Sequence, residues 1–216
     1  SGDAASNDTR GIISGGYDQP ANINTIQFIT IASTGNARDF CDGLENRGQQ
    51  CFSSTTRYVS GGGYGSPNYA GTGSYAYLNI IDFLTFSTKS NPKDFGDLSV
   101  SAYGANGGTS SSTRGIFANL SISPGVRQNI IEFVTIATTG NTTDFGDMTS
   151  ARGGGATSDS TRGVLLGGST NPAGAAVNVI DQITIASAGN ASDFGDLLFT
   201  GKYATSISDS HGGLAQ

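Results

Sequence analysis

One pattern of apolar and polar positions occurs four times along the chain. Asn24-Thr25-Ile26-Gln27-Phe28-Ile29-Thr30-Ile31 recurs as Asn79-Ile80-Ile81-Asp82-Phe83-Leu84-Thr85-Phe86. It returns as Asn129-Ile130-Ile131-Glu132-Phe133-Val134-Thr135-Ile136 and as Asn178-Val179-Ile180-Asp181-Gln182-Ile183-Thr184-Ile185. The block is rich in β-branched and aromatic residues and is bounded by Gly, Asn and Pro, which predicts a strand. Ile26 and Phe28 point to one side of that strand, while Ile29 and Ile31 point to the other. Apolar side chains on both faces predict a strand held between two layers of sheet.

Three other segments accompany each block in fixed order. Before it lies a Thr-Arg pair, at Thr9-Arg10, Thr56-Arg57, Thr113-Arg114 and Thr161-Arg162, opening a second predicted strand. After it comes Asp39-Phe40-Cys41-Asp42, Asp94-Phe95-Gly96-Asp97, Asp144-Phe145-Gly146-Asp147 or Asp193-Phe194-Gly195-Asp196, a third. The small-residue run before each Thr-Arg, such as Ala156-Thr157-Ser158, supplies a fourth. No helical period is sustained, and the Gly, Ser, Thr and Asn content opposes helices. Four short strands in roughly 50 residues is the arithmetic of a β-propeller blade. The expectation is an all-β, single repeat domain over 1–216, with units at 4–50, 51–107, 108–155 and 156–203. Residues 204–216 read as the start of a fifth unit, in which His211 stands where the Arg stood.

Composition narrows the chemistry. Charged residues are only 13% of the chain, about half the usual share, and Gly accounts for 33 of 216 positions. With one His, two Cys and no Trp, a His-rich or four-cysteine zinc site and a Ser-His-Asp triad within the repeats are nearly excluded. A net charge of −6 opposes nucleic-acid binding. No apolar run approaches the roughly 20 residues that span a bilayer, so membrane insertion is not expected; no cofactor is expected either.

The double glycines Gly15-Gly16 and Gly62-Gly63, followed by Tyr17 and Tyr64, resemble those of kelch repeats, although the later kelch Trp is missing. The Thr-Arg-Gly … Asn-Ile-Ile … Thr-Gly-Asn … Asp-Phe-Gly-Asp pattern is similar, over nearly the whole chain, to repeats of bacteriophage tail-fibre and other virion-associated proteins. That resemblance implies a structural or adhesive propeller on a virion or outside the cell. It implies several assembled copies, with other virion proteins or a host-surface glycan as partners. It brings no catalytic residues.

The repeated polar residues have an architectural reading. Asp-Phe-Gly also occurs in kinases, but no nucleotide loop or His-Arg-Asp accompanies it here. Asp144 and Asp147 carry oxygens of the kind that bind Ca²⁺. The stronger reading places Asp39, Asp94, Asp144 and Asp193 in turns, accepting backbone N–H groups and facing Arg10, Arg57, Arg114 and Arg162 within each blade.

Departures from the repeat are where function is sought. Cys41 and Cys51 fall between the same two landmarks and are the only cysteines. They suggest a disulfide across adjacent strands, hence an oxidising compartment, with two small buried thiols as the alternative. The loop after Gly63 is the longest of its kind and holds Tyr64, Tyr69, Tyr75 and Tyr77, half of the eight tyrosines. Tyr supplies flat contact area with a polar tip, so this loop is a candidate for binding sugar or protein surfaces; packing on its own blade is the alternative. Gln182 replaces Phe28, Phe83 and Phe133, which predicts a wetter neighbour or an open edge at the fourth unit. The expected function is a non-enzymatic virion structural or adhesion protein. The alternative is a secreted lectin-like module; a polysaccharide hydrolase, needing two carboxylates across a cleft, ranks below both.

Overall fold

The structure, a computed structural model, describes residues 2–18, 21–43, 46–66, 75–104, 108–123, 126–171 and 174–202. Among these there is no helix. Four antiparallel meanders follow one another along the chain, each pairing its strands in sequence order. Sheet I uses Gly2–Ser6, Arg10–Gly15, Thr25–Thr30 and Arg38–Asp42. Sheet II uses Asn46–Ser53, Arg57–Ser66, Ile80–Thr85 and Lys93–Asp97. Sheet III uses Gly108–Ser110, Arg114–Phe117, Ile130–Thr135 and Thr143–Asp147. Sheet IV uses Arg152–Ser158, Arg162–Thr170, Ala176–Thr184 and Ser192–Gly201. The four strands per unit, in the order small-residue run, Thr-Arg, Asn block and Asp-Phe-Gly-Asp, are those the sequence predicts. The first strands of sheets II and IV begin a few residues ahead of the unit boundaries.

The sheets stack in order. The first strand of each lies against the first strand of the next. Three apolar clusters fill the seams between them. Ile12, Ile26 and Phe40 of sheet I meet Tyr58, Leu84 and Phe86 of sheet II. Val59, Ile81 and Phe95 meet Phe117, Val134 and Ile136. Ile116, Ile131 and Phe145 meet Leu165, Ile183 and Ile185. The two apolar parities of the Asn block are thus spent on two different seams, which is why the block is apolar on both faces.

Polar ties repeat at every seam. The hydroxyl of Ser53 donates to the Ser6 carbonyl (2.7 Å), Ser110 to Ser53 (2.8 Å) and Ser158 to Ser110 (2.9 Å), a ladder along the first strands. The Thr-Arg turn is closed by the residue three positions before Arg. Asn7 and Asp159 accept the N–H groups of Arg10 (2.8 Å) and Arg162 (2.6 Å), and Ser54 and Ser111 do the same for Arg57 and Arg114. Direct amide donation into the Asp159 carboxylate holds its pKa below the usual carboxylate value.

The repeated Arg residues do not face the Asp-Phe-Gly-Asp carboxylates, contrary to the expectation above. Arg57 and Arg114 donate to the carbonyls of Ile136 (2.7 Å) and Ile185 (2.8 Å) in the next sheet, and Arg10 donates to the Phe86 carbonyl. Each guanidinium lies over a Phe ring of its own sheet, at 5.2 Å for Arg10–Phe28, 4.5 Å for Arg57–Phe83 and 4.2 Å for Arg114–Phe133. Asp39, Asp94, Asp144 and Asp193 are exposed, because their strand parity turns them away from the Phe that enters the seam. Asp39 meets Lys89 of the second unit at 3.4 Å.

The buried acids are instead those of the Asn block. Asp82 accepts the Ser60 hydroxyl; Glu132 accepts the Ser99 hydroxyl and Thr142 Oγ1 (3.1 Å). Asp181 takes Thr149 N (3.1 Å) and Oγ1 (2.7 Å) from sheet III. Its remaining charge is met by Arg152 at 2.8 Å, with both side chains fully buried.

Cys41 and Cys51 are both buried and both free, so the disulfide expectation is corrected. The register explains why. Cys41 is opposite Ile26, Ile26 opposite Ser14, and Ser14 opposite Asp3, a row that crosses all four strands of sheet I. Cys51 lies at the far end of that row, its N–H donating to Asp3 Oδ2 at 2.8 Å. Three strand spacings of roughly 4.8 Å separate the two, about 14 Å against a disulfide reach of about 7 Å between Cα atoms.

Cys41 belongs to an altered seam. In the later seams a Gly-Asn loop sits on the Phe-Gly-Asp edge of the preceding sheet. Gly140 N donates to Phe95 O (2.7 Å) and Thr142 N to Asp97 O (2.9 Å); Gly189 N donates to Phe145 O (2.6 Å) and Ala191 N to Asp147 O (2.8 Å). A Cβ on Gly96 would lie 2.4 Å from Gly140 O, and one on Gly146 would lie 2.5 Å from the Gly189 backbone, so only Gly admits the loop. In unit two the loop carries Ser90 and Pro92 at the places of Gly140 and Thr142. Pro92 has no N–H to give. Where the loop no longer docks through its backbone, the receiving position tolerates Cys41.

Candidate functional site

Each second strand leads into or runs through a sharp backbone kink. Gly15-Gly16, Gly62-Gly63 and Gly167-Gly168 all have positive φ, and in unit three Asn119 takes the first of these positions with φ 58°. Asn is the side chain best suited to that left-handed region after Gly. Beyond the kink the chain enters a hairpin at one rim of the stack. These hairpins pair Tyr17–Asp18 with Ala21–Asn22 in unit one, and Leu120–Ser123 with Val126–Arg127 in unit three. In unit two the second strand itself runs on to pair with Ala76–Tyr77.

The unit-two hairpin brings the candidate tyrosines together. Tyr64 is opposite Tyr77 across the ladder, with ring centroids 5.3 Å apart, and Tyr75 lies 5.6 Å from Tyr64. Tyr64 is 44% exposed. Burial pushes the Tyr77 phenol above its ordinary pKa, the neighbouring Tyr64 and Tyr103 add to the rise, and Arg127 opposes it. Tyr69 and residues 204–216 lie outside the described residues.

Arg127 and Tyr103 are members of this patch that the sequence reading missed. Arg127 is held in place by Ser121 Oγ (2.8 Å) and Ser169 Oγ (3.4 Å), and its backbone is clamped by Asn171, which accepts from Arg127 N (2.6 Å) and donates to Arg127 O (2.7 Å). Its Nε is buried and makes no hydrogen bond. A signal was present: Tyr77 and Arg127 both stand two residues before the Asn of their blocks, the place taken by Asn22 and Ala176 in the other units. The patch therefore combines clustered, mutually tilted phenol rings, phenol hydroxyls and a fixed cation at the junction of two units. That combination suits the apolar ring faces and hydroxyls of a sugar, or an aromatic-poor protein surface.

Most buried polar groups elsewhere are engaged by the fold, while Gln50 Oε1, Thr109 Oγ1 and Asn119 Oδ1 are buried without a hydrogen-bond partner among the described residues. Arg152, besides Asp181, donates to Gly167 O (3.0 Å) and Leu165 O (3.2 Å). Among the described residues no group of three or more His, Cys, Asp or Glu comes together as a metal site. The chain matches neither a known family nor a curated protein.

Proposed function

We propose that the chain is a non-enzymatic recognition module: a kelch-like β-propeller assembly of the kind phage particles carry, presenting rim hairpins to a host surface or to neighbouring particle proteins. The observation that carries this reading is the Tyr64–Tyr75–Tyr77 cluster at the rim, with Tyr64 exposed and Tyr75 and Tyr77 half-buried, beside the immobilised Arg127. Loops on a rigid scaffold are where binding residues concentrate. The in-order stacking of four-stranded meanders supports the propeller reading, and the engagement of buried acids in seam contacts supports a structural rather than catalytic use of charge. With both thiols free, placement on a virion or outside the cell rests on the repeat resemblance alone.

A carbohydrate-binding module is the second reading, favoured by the pairing of aromatic faces with Arg127. Wild type and a Tyr64→Ser/Tyr77→Ser variant, matched for melting temperature, are applied to a glycan array and to purified phage components. Loss of binding to particle components in the variant supports the first reading, and loss of glycan binding supports the second. Equal binding by both proteins in every format overturns the assignment of the patch.

A further inference from the structure

We propose that copies of this chain associate head to tail, the open face of sheet IV receiving the open face of sheet I of a second copy. The contact is a fourth instance of the seam the chain already makes three times.

Every internal seam has a receiving side and an inserting side. The receiving side offers an Arg, the Phe of Asp-Phe-Gly-Asp and, in the second and third seams, its Gly. The inserting side offers the second parity of the Asn block, the carbonyl that takes the Arg and, in the second and third seams, the Gly-Asn loop. Among the described residues the stack leaves one of each unused, and they are complementary halves.

On sheet I the inserting side is bare. Ile31 is 49% exposed, whereas its counterparts Phe86, Ile136 and Ile185 are at most 2% exposed. Ile29 is 39% exposed, against 2–4% for Leu84, Val134 and Ile183. The loop equivalent to Gly140-Asn141 is Gly35-Asn36, and a Cβ on Gly35 would meet nothing within 4 Å.

On sheet IV the receiving side is bare. Phe194 is 51% exposed, whereas Phe40, Phe95 and Phe145 are 1–2% exposed. A Cβ on Gly195 would meet nothing within 4 Å, although it shares the φ of 142° found at Gly146, where the next loop is seated. Arg162, the fourth of the repeated arginines, is exposed, and its guanidinium reaches no carbonyl among the described residues. In the proposed contact Arg162 donates to the Ile31 carbonyl, Phe194 is covered by Ile29 and Ile31, and Gly35-Asn36 sits on Gly195-Asp196.

Gln182 stands where the other units place Phe under the Arg, so this seam lacks the cation–π layer of the other three. It is the weakest of the set, as befits a contact that forms and separates. Because the two faces differ, the contact is heterologous: it closes into a ring if the repeated rotation closes, and grows into an open filament if it does not.

The test is sedimentation velocity on the full chain over a wide concentration range, alongside the variants Phe194→Lys and Ile31→Lys. Both sites are largely exposed, so both variants should fold; Arg162→Glu is a second block on sheet IV should Phe194→Lys lose its native circular dichroism. Wild type is expected to form concentration-dependent assemblies, each single variant to remain monomeric, and an equimolar mixture of the two to form a dimer and nothing larger. Each variant in that mixture retains the face its partner needs. A wild type that stays monomeric at all concentrations, or variants that assemble as wild type does, overturns the proposal. Loss of target binding by the tyrosine variant leaves these readings unchanged, so the two ideas fail separately.

Discussion

Arg114 Nη1 donates to the Ile185 carbonyl at 2.8 Å while its guanidinium lies 4.2 Å from the centre of the Phe133 ring. One side chain thereby fixes its own sheet and fastens it to the next. Arg114→Ala should lower stability by about 1–3 kcal/mol, from the lost hydrogen bond to a carbonyl that stays half-buried and from the lost ring contact. Arg114→Lys should recover only part of this, because an ammonium cannot stack flat and reach the carbonyl together. Arg162→Ala, at dilute concentration, should change the urea midpoint little. Equal losses at positions 114 and 162 would refute the inter-sheet role.

Two glycines separate close approach from backbone strain. Gly146 and Gly195 share a φ of 142°, but only Gly146 has the Gly189 backbone within 2.5 Å of where a Cβ would stand. Gly195→Ala should cost about 1–2 kcal/mol for the positive φ alone. Gly146→Ala should cost a further ~1–3 kcal/mol, since the docked loop must shift. Thermal melts of the two variants, compared with wild type at a concentration where each is monomeric, give the difference directly.

The repeat blocks made the strands and their order legible because four copies of an alternating pattern average out local ambiguity. The two-sided apolar parity of the Asn block placed it between layers, as it is in sheets II and III, whereas in sheet I Ile29 and Ile31 stay exposed. Partner choice was not legible. Nothing in Thr-Arg and Asp-Phe-Gly-Asp reveals that the Arg points to a carbonyl of the following sheet while the first Asp faces solvent, since that depends on how far one sheet is rotated over the next. The acids that do enter the seams, Asp82, Glu132 and Asp181, sit in the one acidic position of a largely apolar block, a signal that the sequence pattern contains. The Cys41 exception was read as half of a bridge, but its physical partners in sequence are Ser90 and Pro92. Tyr103 and Arg127 join the tyrosine patch only through the adjacency of rim hairpins from different units.

The fully buried pair Arg152–Asp181 gives a sharper test of how charge is used. Arg152→Met should cost about 3–5 kcal/mol, because the buried Asp181 side chain loses its ion-pair partner and is left with only Thr149. Arg152→Met combined with Asp181→Leu should cost clearly less than the two single changes together, since no lone charge then remains buried. A double-mutant cycle from urea unfolding reads the coupling, and additive losses would show that the two side chains do not depend on one another.

Alkaline pH should loosen the first seam before the others. Burial, followed by the charges of Asp39, Asp42 and Asp82, pushes the Cys41 thiol up to about 12. Burial likewise raises Cys51 and Tyr58 well above their ordinary values. A group whose pKa is higher in the folded chain than in the unfolded one binds its proton more tightly when folded. Its contribution to stability is therefore complete below the unfolded pKa and declines as pH rises toward the folded value. For the thiols that decline begins near pH ~8.5, and for Tyr58 near pH ~10. The urea midpoint should thus be flat from pH 7 to about 8.5 and fall above pH 9, and Cys41→Ala together with Cys51→Ala should flatten the early part of that fall. The same shift makes Cys41 slow to react: at pH 8 the thiolate is about one part in 10⁴ of the native population. Ellman's reagent should accordingly find almost no thiol in the native chain and two in urea without any reductant. Fast native labelling at pH 8 would place Cys41 outside the seam that the structure assigns it.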